Sequence, residues 1–133
     1  MADQASLKKK LREAHRLAEI HRAKSTELSK FWGWFYDQLS DLNPPGVVQA
    51  ERESIGELSF FKASKHWTLR FKTCDDSASE PILNCAVPVK AAAVELALPL
   101  LDNIIEKQSM QIESVERALK QAEAIFGEDR EGE

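Results

Sequence analysis

"FWGWFYDQLSDLNPPG", residues 31–46, sets five aromatic side chains into its first six positions and then runs into two prolines and a glycine. Its reading decides the fold, because it asks whether the aromatics form a core or a surface that grips something. On a helix that advances about 100° per residue, Leu28, Phe31, Trp32, Phe35, Tyr36, Leu39 and Leu42 fall within one arc of about 140°. Four of the five aromatics therefore belong to a buried face, where wide side chains fill a junction between a helix and whatever it meets. Trp34 projects roughly 60° outside that arc, on the side of Asp37 and Asp41. There it is expected to pack on the underside of the sheet or across a dimer; the alternative is a partner-binding anchor, since an exposed tryptophan beside small residues has that character. "NPPG" at 43–46 ends the helix, since prolines donate nothing to a helix ladder and push the preceding residue toward extended conformations.

Upstream, the seam Leu7, Leu11, Ala14, Ala18, His21, Ser25, Leu28, Trp32, Phe35, Leu39, Leu42 keeps an alternating four-three spacing, the period of a helix that lays one stripe against a partner. The first helix is predicted over residues 5–42. Downstream the period changes to two. "TLRFKT" alternates Trp67, Leu69 and Phe71 against Thr68, Arg70 and Lys72, and "ILNCAVPV" alternates Leu83, Cys85, Val87 and Val89 against polar or small residues, as half-buried strands do. "GELSFFKA" supplies another strand through a turn near "SKH", and a weaker one is expected at 47–49. The last third returns to four-three spacing at Val94, Leu98, Leu101, Ile105, Gln108, Ile112, Val115, Leu119, Ala122 and Phe126. It predicts a second helix over 90–126, kinked or restarted at Pro99, and an acidic tail at 127–133 after Gly127.

The expected fold is therefore α+β and one domain over 1–133: two long helices flanking a three-stranded antiparallel sheet at 55–89, in the order α-β-β-β-α. The helices are expected to pair antiparallel as a coiled-coil-like hairpin. Residues 1–30 hold eight Lys or Arg against four Asp or Glu, while residues 106–133 hold four against eight, so antiparallel pairing sets the basic end beside the acidic end. Surface ion pairs add only about 0–1 kcal/mol each, enough to select orientation and too little to hold the helices together. Leu17, Ile20, Phe31, Leu96, Leu100 and Ile104 widen the apolar arc beyond one partner helix. They predict a homodimer, with the extra stripe buried at a two-fold axis or against the sheet; the alternative is a monomer with a curved sheet folded over the helices.

Composition narrows the function. The 133 residues are 43% hydrophobic and 30% charged, a globular balance, and no apolar run approaches the ~18 residues of a spanning helix. The basic start lacks the apolar segment of a secretory signal, so no membrane partner and a cytoplasmic location are expected. A net charge of −4 weighs against a dedicated nucleic-acid binder. Cys74 and Cys85 are the only cysteines, and their spacing forms neither a disulfide framework nor a zinc site. His15 and His21 stand six apart, which is not the i, i+4 pair of a zinc helix. No nucleophile elbow, phosphate-cradling glycine loop or paired carboxylate is present. No enzyme activity, metal or cofactor is expected.

In order of elements the layout resembles small dimeric nucleoid-associated proteins and prefoldin subunits, which implies a dimer that works by binding. The function expected is a non-enzymatic protein-interaction module, a regulator, adaptor or inhibitor of a larger complex. It would act as a helical dimer through its sheet end, with Trp34, Lys62, Lys65, His66, Arg70 and Lys72 as contacts. The second reading is a nucleic-acid-associated dimer using the hairpin cations and Lys8, Lys9, Lys10, Arg12 and Arg16 at the basic helix start. A holdase-like chaperone is the third.

Overall fold

A computed structural model describes residues 2–131, with side chains described for 3–127. The chain is α+β: a four-stranded antiparallel sheet is flanked by helices, and the elements run α1 (Ala2–Leu42), β1 (Val48–Arg52), β2 (Gly56–Ala63), β3 (His66–Thr73), β4 (Glu80–Pro81), α2 (Val87–Ala93) and α3 (Ala97–Glu131). The sheet is a meander in the order β1-β2-β3-β4. Its register places Val48 opposite Phe60, Ala50 opposite Leu58, and Phe60 and Leu58 opposite Leu69 and Phe71. Because side chains alternate across a strand, these six share one face, and all six are buried.

Against that face lie Trp32, Phe35 and Leu39 of α1 and Leu96, Leu100 and Ile104 at and after the start of α3. Burying each large apolar side chain is worth about 1.5–3 kcal/mol, so this one cluster holds the fold. The aromatic run of α1 divides as its arc predicts: Trp32 and Phe35 are buried, Phe31 and Tyr36 pack at the edge of the core, and Trp34 stays 56% exposed. Tyr36 donates its hydroxyl to the Trp67 carbonyl at 2.7 Å. Trp32 donates Nε1 to the Lys90 carbonyl at 3.0 Å. After Leu42, Asn43 takes a left-handed conformation (φ 46°), the usual way to end a helix without a glycine.

Three expectations need correction. The run "ILNCAVPV" is not a strand. Only Glu80 and Pro81 pair with β3; Ile82–Asn84 form a 3-10 turn and Val87 opens α2. Pro88 explains this, since a proline cannot donate within a sheet but fits the first turn of a helix, where the N–H would be orphaned anyway. The sheet therefore has four strands where three were expected: the weaker strand expected at 47–49 is present as β1, and β4 is only two residues long. The second long helix begins at Ala97, so Pro99 sits harmlessly in its first turn, and it continues through Gly127 to Glu131. Of the expected acidic tail, residues 132 and 133 lie outside the described residues.

The third correction concerns the helix hairpin, which does not form within the chain. Along α3, Glu95 just before the helix meets Arg52 at 3.3 Å, Asn103 donates to the Gln49 carbonyl, and Lys107 donates to the Val47 carbonyl. The helix therefore runs antiparallel to β1, toward the end of the sheet that carries the β2–β3 turn. Along α1, Ser29 and Trp32 bond Lys90 of α2, Tyr36 reaches Trp67 beside that same turn, and Leu42 is five residues from the start of β1. Both helices cross the sheet in one sense. The physical reason is α2, which carries the chain back along the sheet before α3 begins.

Each helix continues past the core as an arm, α1 upstream over residues 2–27 and α3 downstream from about residue 105. The arms leave by opposite ends. Each runs for roughly seven turns, about 40 Å at 1.5 Å per residue.

Candidate functional site

Every side chain described from Asp3 to Lys24 is exposed, and so is every one from Ser109 to Phe126. Among them are Leu7, Leu11, Leu17 and Ile20 on one arm and Met110, Ile112, Val115, Leu119 and Ile125 on the other. Scattered exposed leucines need no explanation, whereas apolar residues that recur at helical spacing, as Leu7, Leu11, Ala14 and Ala18 do on one arm and Ile112, Val115, Leu119 and Ala122 on the other, form a stripe of about three turns, and a stripe implies a covering surface. The start of α3 shows how the stripe was left free. Leu96, Leu100 and Ile104, read from sequence as the flank, face the sheet, while the expected seam residues Leu98 (72% exposed) and Ile105 (57% exposed) face outward. Of the expected seam of α3 only Leu101 packs against the core, at its edge, and the seam beyond it stays open within this chain.

A second apolar track lies beside the seam of α1. At 100° per residue Trp34, Phe31, Ile20 and Leu17 fall within about 100° of each other, and the Trp34 ring lies 6.2 Å from that of Phe31. Phe31 in turn stacks on Phe35 at 5.7 Å. Trp34 is thus a surface aromatic braced from behind by the core, which lowers the entropy it loses when a partner covers it.

The hairpin cations do not gather on one surface. Lys62 is paired in register with Trp67, on the core side of the sheet, and its Nζ stands 5.6 Å from the Trp67 ring centroid. Lys65 is in the turn, next to Ser64 with its left-handed backbone (φ 59°). His66, Arg70 and Lys72 share the outer face, where Glu57 stands directly opposite Lys72. Arg70 is held by Ser79, donating Nε to its hydroxyl at 2.9 Å and a second nitrogen to its carbonyl at 2.7 Å. At the basic helix start, Lys8, Lys9, Lys10, Arg12 and Arg16 are all exposed. Arg16 pairs with Glu13, whose carboxylate raises the guanidinium pKa further. The only other ion pair among the described residues is Arg52 with Glu95.

Concave surfaces are modest. One, about 470 Å³, lies where α3 leaves the sheet edge, between Val47, Gln49, Asn103, Glu106, Lys107 and Met110. Two of its polar groups, the side chains of Asn103 and Lys107, are already committed to the carbonyls of Gln49 in β1 and Val47 just before it. Among the described residues no three His, Cys, Asp or Glu side chains are placed to hold a metal ion, and no helix is long and apolar enough to cross a membrane.

Lys90 and Cys85 are the chemically unusual interior groups. The Lys90 side chain, nearly covered, donates to Ser29 Oγ at 3.1 Å. Burial, seconded by the Glu80 carboxylate, raises the Cys85 thiol pKa against the pull of Lys90 and Arg70. Its Sγ points to the Pro81 carbonyl at 3.5 Å. Lys90 ties α2 to α1, and Cys85 belongs to the buried core just ahead of α2. The arms escaped the sequence reading as separate surfaces because the four-three pattern shows that a helix wants a partner and is silent on which chain supplies it. Comparison with protein families, with characterised proteins and with solved structures returns no match for this chain.

Proposed function

We propose that the chain is a non-enzymatic protein-interaction module, a regulator, adaptor or inhibitor of a larger assembly, built as a small α+β hub that presents two amphipathic helical arms. The observation that carries this reading is that the apolar residues of both arms, Leu7, Leu11, Leu17 and Ile20 on one and Ile112, Val115 and Leu119 on the other, are all exposed. An isolated helix gains little from propensity alone, and helices of this kind are stabilised mostly by packing an apolar face. An arm that keeps its face open therefore gains most from a helical or grooved protein partner. The sheet end is a weaker candidate than the sequence suggested, because its cations are split between two faces and Arg70 is tied to Ser79. Trp34 remains the anchor candidate at the root of the first arm.

The test is site-specific photo-crosslinking in the cell that makes the protein, with the reactive group at Leu17 or Leu119 on the arms and at Lys72 or His66 on the outer sheet face. Adducts from the arm positions and none from the sheet are expected. Adducts confined to the sheet face, or none at all, overturn the reading.

A second reading is supported by Lys8, Lys9, Lys10 and Arg12, four exposed cations with no ion pair. They suit contacts to a phosphate backbone, and such binding to a DNA duplex weakens steeply as salt rises, with a log–log slope that grows with each phosphate neutralised. Absence of duplex binding at low salt removes this alternative.

A further inference from the structure

We infer that the occupant of the arm seams is a second copy of this chain, and that two copies exchange arms reciprocally, the basic α1 arm of each lying antiparallel on the acidic α3 arm of the other. The inference rests on the reading of the arms as interaction surfaces and adds what covers them.

Geometry comes first. Because the arms leave the hub at opposite ends, they do not meet within one chain. A two-fold axis perpendicular to the long direction brings a second copy alongside with its arms reversed, so each α3 arm lies beside the partner's α1 arm and both pairs form at once. The α3 arm runs outward from N to C while the α1 arm runs inward, so each pair is antiparallel. Such an arrangement is isologous and closes on itself. Once one pair has formed, the second is intramolecular and needs no further translational cost.

The side chains then fit in a single register. Setting Leu11 opposite Ala122 of the second copy puts Ala14 opposite Leu119, Ala18 opposite Val115, His21 opposite Ile112 and Ser25 opposite Gln108, because both seams keep the same four-three spacing when one is read backward. Large faces small in the first three layers, the arrangement that lets two helices interdigitate without voids. The polar Ser25 and Gln108 fall in one layer, which favours this register over its neighbours. Charge agrees. In the same register Lys8 lies beside Glu123 and His15 beside Glu116, and the arm totals are opposite in sign, eight cations against four anions over 1–30 and four against eight over 106–133. Two α1 arms, or two α3 arms, would set like charges together. None of these seam residues is used by the hub: Leu11 is 51% and Leu119 56% exposed.

The test uses the full chain with Cys74→Ser, which leaves only the buried Cys85 thiol. Ala14→Cys is made in one sample and Leu119→Cys in another. Under mild oxidation the mixture is expected to yield a covalent dimer, and each variant alone is not, since like positions lie at opposite ends of the proposed assembly. Light scattering on unmodified chain is expected to give twice the 15.0 kDa chain mass, and Leu11→Ser with Leu119→Ser is expected to return it to one chain mass with the hub still folded. Cross-linking by Ala14→Cys alone overturns the antiparallel exchange, because it reports α1 against α1. A ladder of multimers overturns reciprocity in favour of an open head-to-tail chain. A monomer at every concentration overturns the inference outright. If the arm photo-crosslinks then lead to a different protein, the interaction reading survives; if they vanish as well, both fall.

Discussion

The hub and the arms are built from the same material, leucine, isoleucine and aromatic residues at helical spacing, yet one region buries its apolar face and the other displays it. Leu100 and Leu119 belong to the same helix and differ only in what lies opposite, a sheet in the first case and nothing of this chain in the second. The difference teaches that periodicity states a demand for a partner, and that the topology of the chain decides whether the demand is met internally. It also separates stability from recognition, so substitutions in the two regions are expected to have different readouts.

The largest effect is expected in the hub. Trp32 is fully buried, edge-on to Phe31 and Phe35, with its indole N–H on the Lys90 carbonyl. Trp32→Ala removes the largest core side chain and a buried hydrogen bond, and is expected to cost about 3–5 kcal/mol in urea unfolding. Leu11→Ala on the arm, measured with the chain dilute enough to be monomeric, is expected to stay within about 0.5 kcal/mol. Equal losses at the two positions would erase the division between hub and arm. Next in size comes Gly56, whose φ of 138° suits glycine and where an added Cβ would stand 2.1 Å from the Lys72 carbonyl oxygen. Gly56→Ala is expected to cost at least about 2 kcal/mol and to loosen the β1–β2 turn without touching association of the arms.

How far the sequence reached follows the same line. The first helix was legible because one arc held Trp32, Phe35 and Leu39, and its end was legible because two prolines follow it. The β2–β3 hairpin was legible because Trp67, Leu69 and Phe71 alternate with cations. The third expected strand was misread because Leu83, Cys85, Val87 and Val89 alternate as strand residues do, while the single missing donor at Pro88 outweighs the pattern. The buried face of α3 was misread because Leu96, Leu100 and Ile104 interleave with Leu98, Leu101 and Ile105 at helical spacing, so both sets offer an apolar face and the sheet decides that the first is buried, with Leu101 at its edge. The direction of α3 was not legible at all, being set by a seven-residue helix whose role is to carry the chain back. Trp34 stands outside the buried arc as its helical position predicts, and within the chain it stays exposed and does not pack under the sheet.

Trp34 gives a smaller effect that sharpens the comparison. Trp34→Ala is expected to reduce the partner adduct from a photo-crosslinker at Leu17 severalfold while shifting Tm by little, because the ring is more than half exposed and braced only by Phe31. It lies beside the seam, so the dimer mass is expected to be unchanged. A fall in Tm of several degrees would assign Trp34 to the hub instead.

The smallest effect comes from the two thiols, and it reports on the hub without disturbing it. Cys74 is exposed and Cys85 is buried in the core just ahead of α2. Thiolate is the reactive form, and burial with the nearby Glu80 carboxylate raises the Cys85 pKa, so at neutral pH Cys74 is expected to label many times faster. The sign of the linked stability follows: the folded hub favours the neutral thiol, so this contribution is whole below the ordinary thiol pKa and is lost as pH rises through the raised folded value. Labelling of Cys85 therefore requires either alkali or opening of the hub. If the arms and hub are independent, Leu119→Ser is expected to leave the Cys85 labelling rate at neutral pH unchanged even as it alters association, because the arm detaches without lifting α2 from Trp32. A rate that rises in step with the loss of association would mean that the arms, far from being appended to a finished fold, help to hold it closed.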